Sequence, residues 1–141
     1  MVVCTSKDGP KQSLLTNGNV SIDCDNPTQF GGEGYVFNPF ELIEAGYAAC
    51  INATTRGICA EKGVEYSKVV VAVELDNSNS DTATLRSKVD IEGVSPDIAA
   101  EIIKEEHERR CPVERMLRKR IVFESLAVQG IKMEQISERK D

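Results

Sequence analysis

The chain has 141 residues, of which 40% are apolar and 28% charged, a composition typical of a folded globular protein and unlike that of a disordered one. Its net charge of −6 provides no overall positive field, which argues against a nucleic-acid partner. No apolar run is long enough for a membrane span or a signal peptide, so we expect a cytoplasmic protein without a membrane partner. The length fits one domain over residues 1–141.

The cysteines are odd in number and widely spaced, unlike the paired framework of a small secreted protein. We therefore expect free thiols in a reducing compartment. They are Cys4, Cys24, Cys50, Cys59 and Cys111.

Turn residues define the first predicted elements. Asn17-Gly18 is a strong hairpin signal between the extended stretches 11–16 and 19–24. The glycine-rich stretch 26–34 predicts a loop, and it lacks the pattern of a phosphate-binding loop.

A long helix is predicted from Phe40 to about Lys62. Asn38 suits the N-cap, Pro39 suits the first helical position, and Glu41 can complete a capping box. The helix is apolar nearly all round, which predicts burial on more than one side. One stripe holds only small side chains and predicts a close crossing with a second copy of the same helix. It consists of Gly46, Ala49, Cys50, Ala53 and Gly57.

The second half of the chain alternates between strand and helix patterns. Stretches 69–75 and 83–91 alternate in polarity and predict an antiparallel pair. Ser95-Pro96 opens a helix to about Arg109, and Cys111-Pro112 opens a short third helix. Stretch 121–133 has extended character, and 134–141 is expected to fray. This order of elements predicts an α+β fold.

Two cysteines have local features that matter for reactivity. Cys111 is the predicted N-cap of the third helix, where the helix dipole and Arg109, Arg110 and Arg115 are expected to lower its pKa. The alternative is a small residue packed at a chain reversal. Cys50 lies on the small-residue stripe. Taken alone, it is more simply interpreted as a small apolar residue that packs in the interior.

The other cysteines and the histidine have simpler interpretations. Cys59 follows Cys50 by nine residues, which puts it on the opposite side of the helix and predicts a place in the core. Cys4 and Cys24 lie in or beside strands and are read as structural. His107 and Cys111 are four residues apart, but the sequence has no other histidine, so we expect no metal site.

Two motifs resemble the OsmC/Ohr family of osmotically induced and organic-hydroperoxide-resistance proteins. The first is the segment NPFELIEAGYAAC at 38–50, and the second is RCPV at 110–113. Both match in order, spacing and helical context. With the preceding Gly-Gly loop and the predicted closing strand, the likeness extends over nearly the whole chain.

The resemblance implies an intertwined homodimer with antiparallel sheets wrapped around long central helices. It implies a thiol-dependent peroxidase of the oxidative stress response that acts on organic hydroperoxides without a cofactor. Cys50 would attack the peroxide as a thiolate and become a sulfenic acid, and Cys111 would condense with it to a disulfide. An external dithiol of lipoyl or thioredoxin type would then reduce the disulfide.

Two positions depart from the family pattern. Peroxidase members usually carry Arg-Asp-Gly in the early loop, where this chain has Lys7 before Asp8-Gly9, and a lysine lacks the bidentate fork of arginine. They also usually carry a glutamate directly after Asn-Pro, where this chain has Phe40, with Glu41 one place on. Thiol activation by Lys7, or by an arginine from across the dimer, is therefore open.

Two further functions remain open at this point. The same dimer could bind a small hydrophobic ligand near Phe40, Tyr47 and Cys50 without turnover, and Phe40 in place of an acid favours this reading. A thiol redox sensor is the third hypothesis. Phe40 also leads us to expect a preference for apolar peroxides over hydrogen peroxide.

Overall fold

The computed structural model describes residues 1–131, so the predicted fraying of 134–141 lies outside the described residues. The chain forms two compact units. In the sequence, the boundaries between them fall after Leu42 and after Val122. The N-terminal unit comprises Met1–Leu42 and the described residues 123–131. The central unit is Ile43–Val122. The antiparallel sheets and helices described below confirm the predicted α+β class, whereas the single domain over 1–141 stays a prediction.

The N-terminal unit contains a three-stranded antiparallel sheet in the order β1-β2-β3. Its strands are β1 (Val3–Ser6), β2 (Ser13–Thr16) and β3 (Ser21–Cys24). The predicted hairpin at Asn17-Gly18 is confirmed, with Gly18 at φ 94°, a conformation that glycine adopts without steric cost. Strand β1 was not predicted, because four residues are too few for a periodic signal. A single turn of 3-10 helix, Thr28–Phe30, lies in the predicted loop.

Helix α1 (Pro39–Glu61) begins as the sequence predicts. The Asn38 side chain accepts hydrogen bonds from the Phe40 and Glu41 N–H groups, at 2.9 and 3.0 Å. The Glu41 carboxylate in return accepts a 2.8 Å bond from the Asn38 N–H. The capping box is therefore complete, and it gives Glu41 a structural role.

The central unit is built on a hairpin of two long strands, β4 (Lys68–Asp76) and β5 (Thr84–Glu92), paired along their full length. Their alternating burial confirms the predicted pattern. Helix α2 (Pro96–Arg109) starts with the Ile98 N–H donating to the Ser95 hydroxyl, and helix α3 (Pro112–Leu117) follows Cys111. In the part of the chain described, no helix is long and apolar enough to cross a membrane.

The core of the central unit consists of two apolar clusters along one face of α1. The first joins Ile58 and Cys59 to Ile91 of β5 and Ile102 of α2. The second joins Tyr47 and Ile51 to Cys111. Two side chains of α1 also bond to the β4 backbone: Asn52 donates to the Val69 carbonyl at 2.8 Å, and Glu44 accepts from the Leu75 N–H at 2.6 Å.

Two expectations about burial differ from the structure. Helix α1 is buried along one stripe within the chain, while Gly46, Ala49, Ala53 and Gly57 are exposed. The prediction of burial on more than one side is therefore wrong for the isolated chain, because these four residues of the small-residue stripe are exposed and only Cys50, the fifth, packs against the second cluster. Residues 121–131 form no strand, and the apolar side chains in this stretch include Phe123 and Leu126, both 89% exposed. Residues 132 and 133 of the predicted strand lie outside the described residues.

The two clusters imply a matched stability test on α2. Ile102 is 1% exposed in the first cluster, whereas Ile98, one turn earlier, is 40% exposed. Ile102→Ala should lower the free energy of unfolding by about 2–5 kcal/mol, because it leaves a cavity. Ile98→Ala should cost less than about 1 kcal/mol. Urea denaturation at equal protein concentration measures both, and equal losses would contradict this assignment of the core.

Candidate functional site

Cys50 and Cys111 lie together in the second cluster, although they come from different helices. Cys111 is fully buried, and Cys50 is half-buried and packs against the same cluster. The Val113 N–H, at the start of α3, donates to the Cys50 sulfur at 3.4 Å. Both cysteines are free thiols. The fold therefore brings these two predicted site residues into one place.

The chain reversal at Arg110 directs Cys111 inward. Arg110 is the only described non-glycine residue with positive φ, at 56°, and its N–H bonds to the Glu106 carbonyl at the end of α2. Such a conformation costs an ordinary residue about 1 kcal/mol or more, so the surrounding packing must offset it. The reversal ends α2 and turns the chain so that Cys111 begins α3 from within the core.

The Cys111 thiol is held in its neutral form. Burial, the neighbouring Cys50 thiol and the charge of Glu106 together raise the pKa of Cys111 to about 11. The Glu114 backbone N–H opposes this rise without overcoming it. The expected lowering of its pKa by arginines is therefore wrong: the Arg109 and Arg110 side chains are exposed, and Arg109 pairs with Glu61 and Glu105.

Tyr47 connects the second cluster to Glu114, the acidic residue of α3. Its hydroxyl donates to the Glu114 carboxylate at 3.4 Å. Burial and the negative charge of Glu114 raise the pKa of Tyr47 to about 12, so it is a neutral hydrogen-bond donor at physiological pH. Glu114 is also paired with Arg118 at 2.8 Å.

A cavity of about 290 Å³ opens beside the cluster. Tyr47 and Leu85 belong to both the cluster and the cavity wall. Ala83 and Leu117 add apolar surface, and the Glu114–Arg118 pair forms the polar side. Such a space can hold the organic part of a small molecule next to the cysteine cluster.

The remaining predicted site residues belong to the N-terminal unit. Lys7 lies just beyond β1, and its ammonium group pairs with Asp23 at 2.6 Å. Phe40 is 42% exposed, and Glu41 is engaged in the capping box. Roles for Lys7 and Phe40 at the thiols stay predictions.

Cys59 lies in the first cluster of the central unit, as expected of a core residue.

Sequence reasoning missed Glu106, a buried carboxyl in the last turn of α2. It is 6% exposed, and burial raises its pKa. A signal was available, because Glu106 follows Ile102 by four residues and so continues the apolar face of α2. Among residues 1–131, no group of three or more His, Cys, Asp or Glu side chains is arranged to hold a metal ion.

Comparisons with solved structures return the same fold. The chain is similar to an organic hydroperoxide resistance protein OsmC from Legionella pneumophila, at 25% identity over 84% of this chain and 89% of that one, with a TM-score of 0.61. It is also similar to the organic hydroperoxide resistance protein OhrB of Bacillus subtilis, at 23% identity over 85% and 90% of the two chains, TM-score 0.61. An OsmC-like protein from Mycoplasma pneumoniae matches at 19% identity over 84% and 86%, TM-score 0.63.

A comparison with curated proteins gives no significant match. The family model for OsmC-like proteins, by contrast, matches residues 31–125, which include both cysteine motifs and all three helices. The match covers more than half of the chain and agrees with the observed fold. The chain therefore belongs to the OsmC-like protein family.

Proposed function

We propose that this protein is a thiol-dependent peroxidase that reduces organic hydroperoxides by cycling Cys50 and Cys111 between dithiol and disulfide. The observation that supports this most directly is the placement of both thiols in one cluster, with the Val113 N–H donating to the Cys50 sulfur. A hydrogen bond donated to sulfur stabilises negative charge on it, and the thiolate is the attacking form. The names of the hydroperoxide-resistance relatives agree with this chemistry.

The proposed cycle has three steps. The Cys50 thiolate attacks the terminal peroxide oxygen, the O–O bond breaks, and an alcohol leaves after taking up a proton. Cys111 then attacks the resulting sulfenic acid: the S–S bond forms, the S–O bond breaks, and water leaves. An external dithiol of lipoyl or thioredoxin type returns the disulfide to two thiols by exchange. The cycle uses no cofactor, and it places the protein in the oxidative stress response.

Activation of Cys50 without the usual arginine is part of this proposal. Lys7 keeps a positive charge but is paired with Asp23, whose carboxylate neutralises much of it. The Val113 N–H is a fixed donor that needs no charged side chain. We therefore assign activation to this backbone group, and activation by Lys7 or by an arginine from across the dimer stays a prediction.

A homodimer is the proposed working form. A side-chain carbon added at Gly46 or Gly57 would meet no atom within 4 Å, so the small-residue stripe of α1 has open space at both of its ends. Small residues permit close backbone approach, which suits a crossing with the partner copy of α1. The exposed apolar stretch 121–131 provides further surface for a partner chain.

A second candidate is a dimer that binds a small hydrophobic ligand without turnover, with the cavity beside Tyr47 as the place where such a ligand would lie. The two functions make different predictions for the cysteines. A binding protein needs no change in their oxidation state, whereas the peroxidase must form a disulfide in each cycle.

Intact mass distinguishes the two functions. With one equivalent of cumene hydroperoxide, the reduced protein should lose the mass of two hydrogen atoms within minutes, as one disulfide forms. Cys50→Ser should abolish both this loss and peroxide consumption. Cys111→Ser should instead stop at the sulfenic acid, which gains one oxygen atom. Cys59→Ser is the control and should behave like the unsubstituted protein. An unchanged mass of the reduced protein would refute the peroxidase and favour ligand binding.

Substrate preference tests the cavity. Leu117→Ala removes apolar wall and should lower kcat/KM for cumene hydroperoxide about tenfold, while the value for hydrogen peroxide stays nearly constant. The unsubstituted protein should prefer cumene hydroperoxide. Met116→Ala, on the same helix but 48% exposed, is the control. Faster turnover of hydrogen peroxide, or equal effects of both substitutions, would contradict this placement of the substrate.

Substitution on the stripe tests the dimer. Ala53 is exposed in the single chain, so Ala53→Leu should fold normally yet prevent close helix crossing. Analytical ultracentrifugation should show a dimer for the unsubstituted protein and a shift toward monomer for this variant. Ala100→Leu on the exposed side of α2 should remain dimeric. A monomeric unsubstituted protein would refute the proposed assembly.

A further inference from the structure

The cavity beside Tyr47 has one ion pair in its wall, formed by Glu114 of α3 and Arg118, which caps the C-terminal end of that helix. The two residues are four apart, so they lie on the same side of the helix. Both the Nε and the Nη2 atoms of Arg118 lie 2.8 Å from the Oε1 atom of Glu114. The rest of the wall is uncharged and consists of Tyr47, Ala83, Leu85 and Leu117. The described wall of the cavity therefore has no net charge.

Glu114 is the more firmly held member of this pair. Its side chain is only 13% exposed, whereas that of Arg118 is 55% exposed. Its second oxygen, Oε2, accepts a hydrogen bond from the Tyr47 hydroxyl at 3.4 Å. Because both oxygens have partners and little water reaches them, the carboxylate stays beside the guanidinium. An anion that enters the cavity would therefore meet a negative charge next to the only cation of the described wall.

The ion pair still has hydrogen-bonding capacity for an uncharged ligand. Arg118 uses its Nε and Nη2 atoms on Glu114, so the Nη1 donors are left for a ligand oxygen. The bond from Tyr47 to Oε2 is longer than an ordinary O–H···O bond, so Oε2 can accept a second one. A hydroxyl or hydroperoxide group donates and accepts, which suits both partners. A carboxylate only accepts, and it would face Glu114 as a like charge.

We infer that this cavity selects uncharged organic hydroperoxides, and that Glu114 sets the preference by cancelling the charge of Arg118. The inference rests on the proposed function, because it names the substrate class of the proposed peroxidase. The hydrocarbon part would lie against Ala83, Leu85 and Leu117. The polar group would lie near α3, whose Val113 N–H donates to the Cys50 sulfur. A hydroperoxide that carries a carboxylate would be disfavoured, because the carboxylate loses its water without gaining an unopposed cation.

Binding of two matched alcohols tests this preference without any peroxide. The probes are the para-carboxamide and the para-carboxylate derivatives of cumyl alcohol, the alcohol that cumene hydroperoxide yields on reduction. They have nearly the same shape and differ in charge. NMR chemical-shift titration of the reduced protein at neutral pH and low ionic strength measures both dissociation constants. The carboxamide should bind about tenfold more tightly than the carboxylate, or by a larger factor.

Three substitutions assign the preference to the ion pair. Glu114→Gln keeps the shape of the side chain but leaves Arg118 uncompensated, so it should shift the ratio of affinities about tenfold toward the carboxylate. Arg118→Gln leaves Glu114 uncompensated and should widen the preference for the carboxamide. Glu108→Gln changes the net charge of the chain by the same amount as Glu114→Gln, at an exposed position of α2, and should leave the ratio unchanged.

The results that would overturn the inference are equal affinities of the unsubstituted protein for the two probes, tighter binding of the carboxylate, or binding of neither. A ratio that does not respond to Glu114→Gln would overturn it as well. Because the titration contains no peroxide, a protein that lacks peroxidase activity still gives these ratios. A working peroxidase that binds both probes equally would refute the charge preference alone.

Discussion

The packing of one face of α1 against the β4–β5 hairpin is the interaction on which the site depends. Ile51 and Ile58, each 1% exposed, lie on this face and belong to the two apolar clusters of the central unit. The Asn52 and Glu44 side chains fix the helix along β4 through backbone hydrogen bonds. Cys50 lies at the edge of this face, where its sulfur reaches the Val113 N–H at the start of α3. The packing of the helix alone therefore positions this sulfur.

The second requirement is the strained reversal at Arg110. It places Cys111 at the first turn of α3 and inside the core, where the residue is both reachable by Cys50 and protected from solvent. Backbone strain of this kind persists only when the surrounding structure holds it. Here the holding contacts are the apolar cluster around Cys111 and the hydrogen bond from the Arg110 N–H to Glu106.

Local chemistry made most of the helices and strands predictable. Asn38-Pro39, Ser95-Pro96 and Cys111-Pro112 each mark a helix start that the structure contains. Alternation of polarity likewise located β4 and β5. The extended character of 121–131 was misread as a strand, because extended character alone does not supply a pairing partner.

The properties of the site were less predictable, because they depend on tertiary contacts. The sequence shows arginines on both sides of Cys111, which suggests an activated thiolate. Folding instead pairs Arg109 with Glu61 and Glu105 and buries Cys111, and this burial raises the pKa of the thiol. The pairing of Cys50 with Cys111 was available only through family resemblance, since residues so far apart in sequence carry no local signal of contact.

The most direct test of the account is peptide mapping under non-reducing conditions after treatment with an organic hydroperoxide. If the two sulfurs occupy one reactive cluster, the oxidised protein should yield a single disulfide-linked pair of peptides, one containing Cys50 and the other Cys111. A disulfide that joins either of them to Cys4, Cys24 or Cys59 instead, or a protein whose five cysteines all remain reduced, would contradict it.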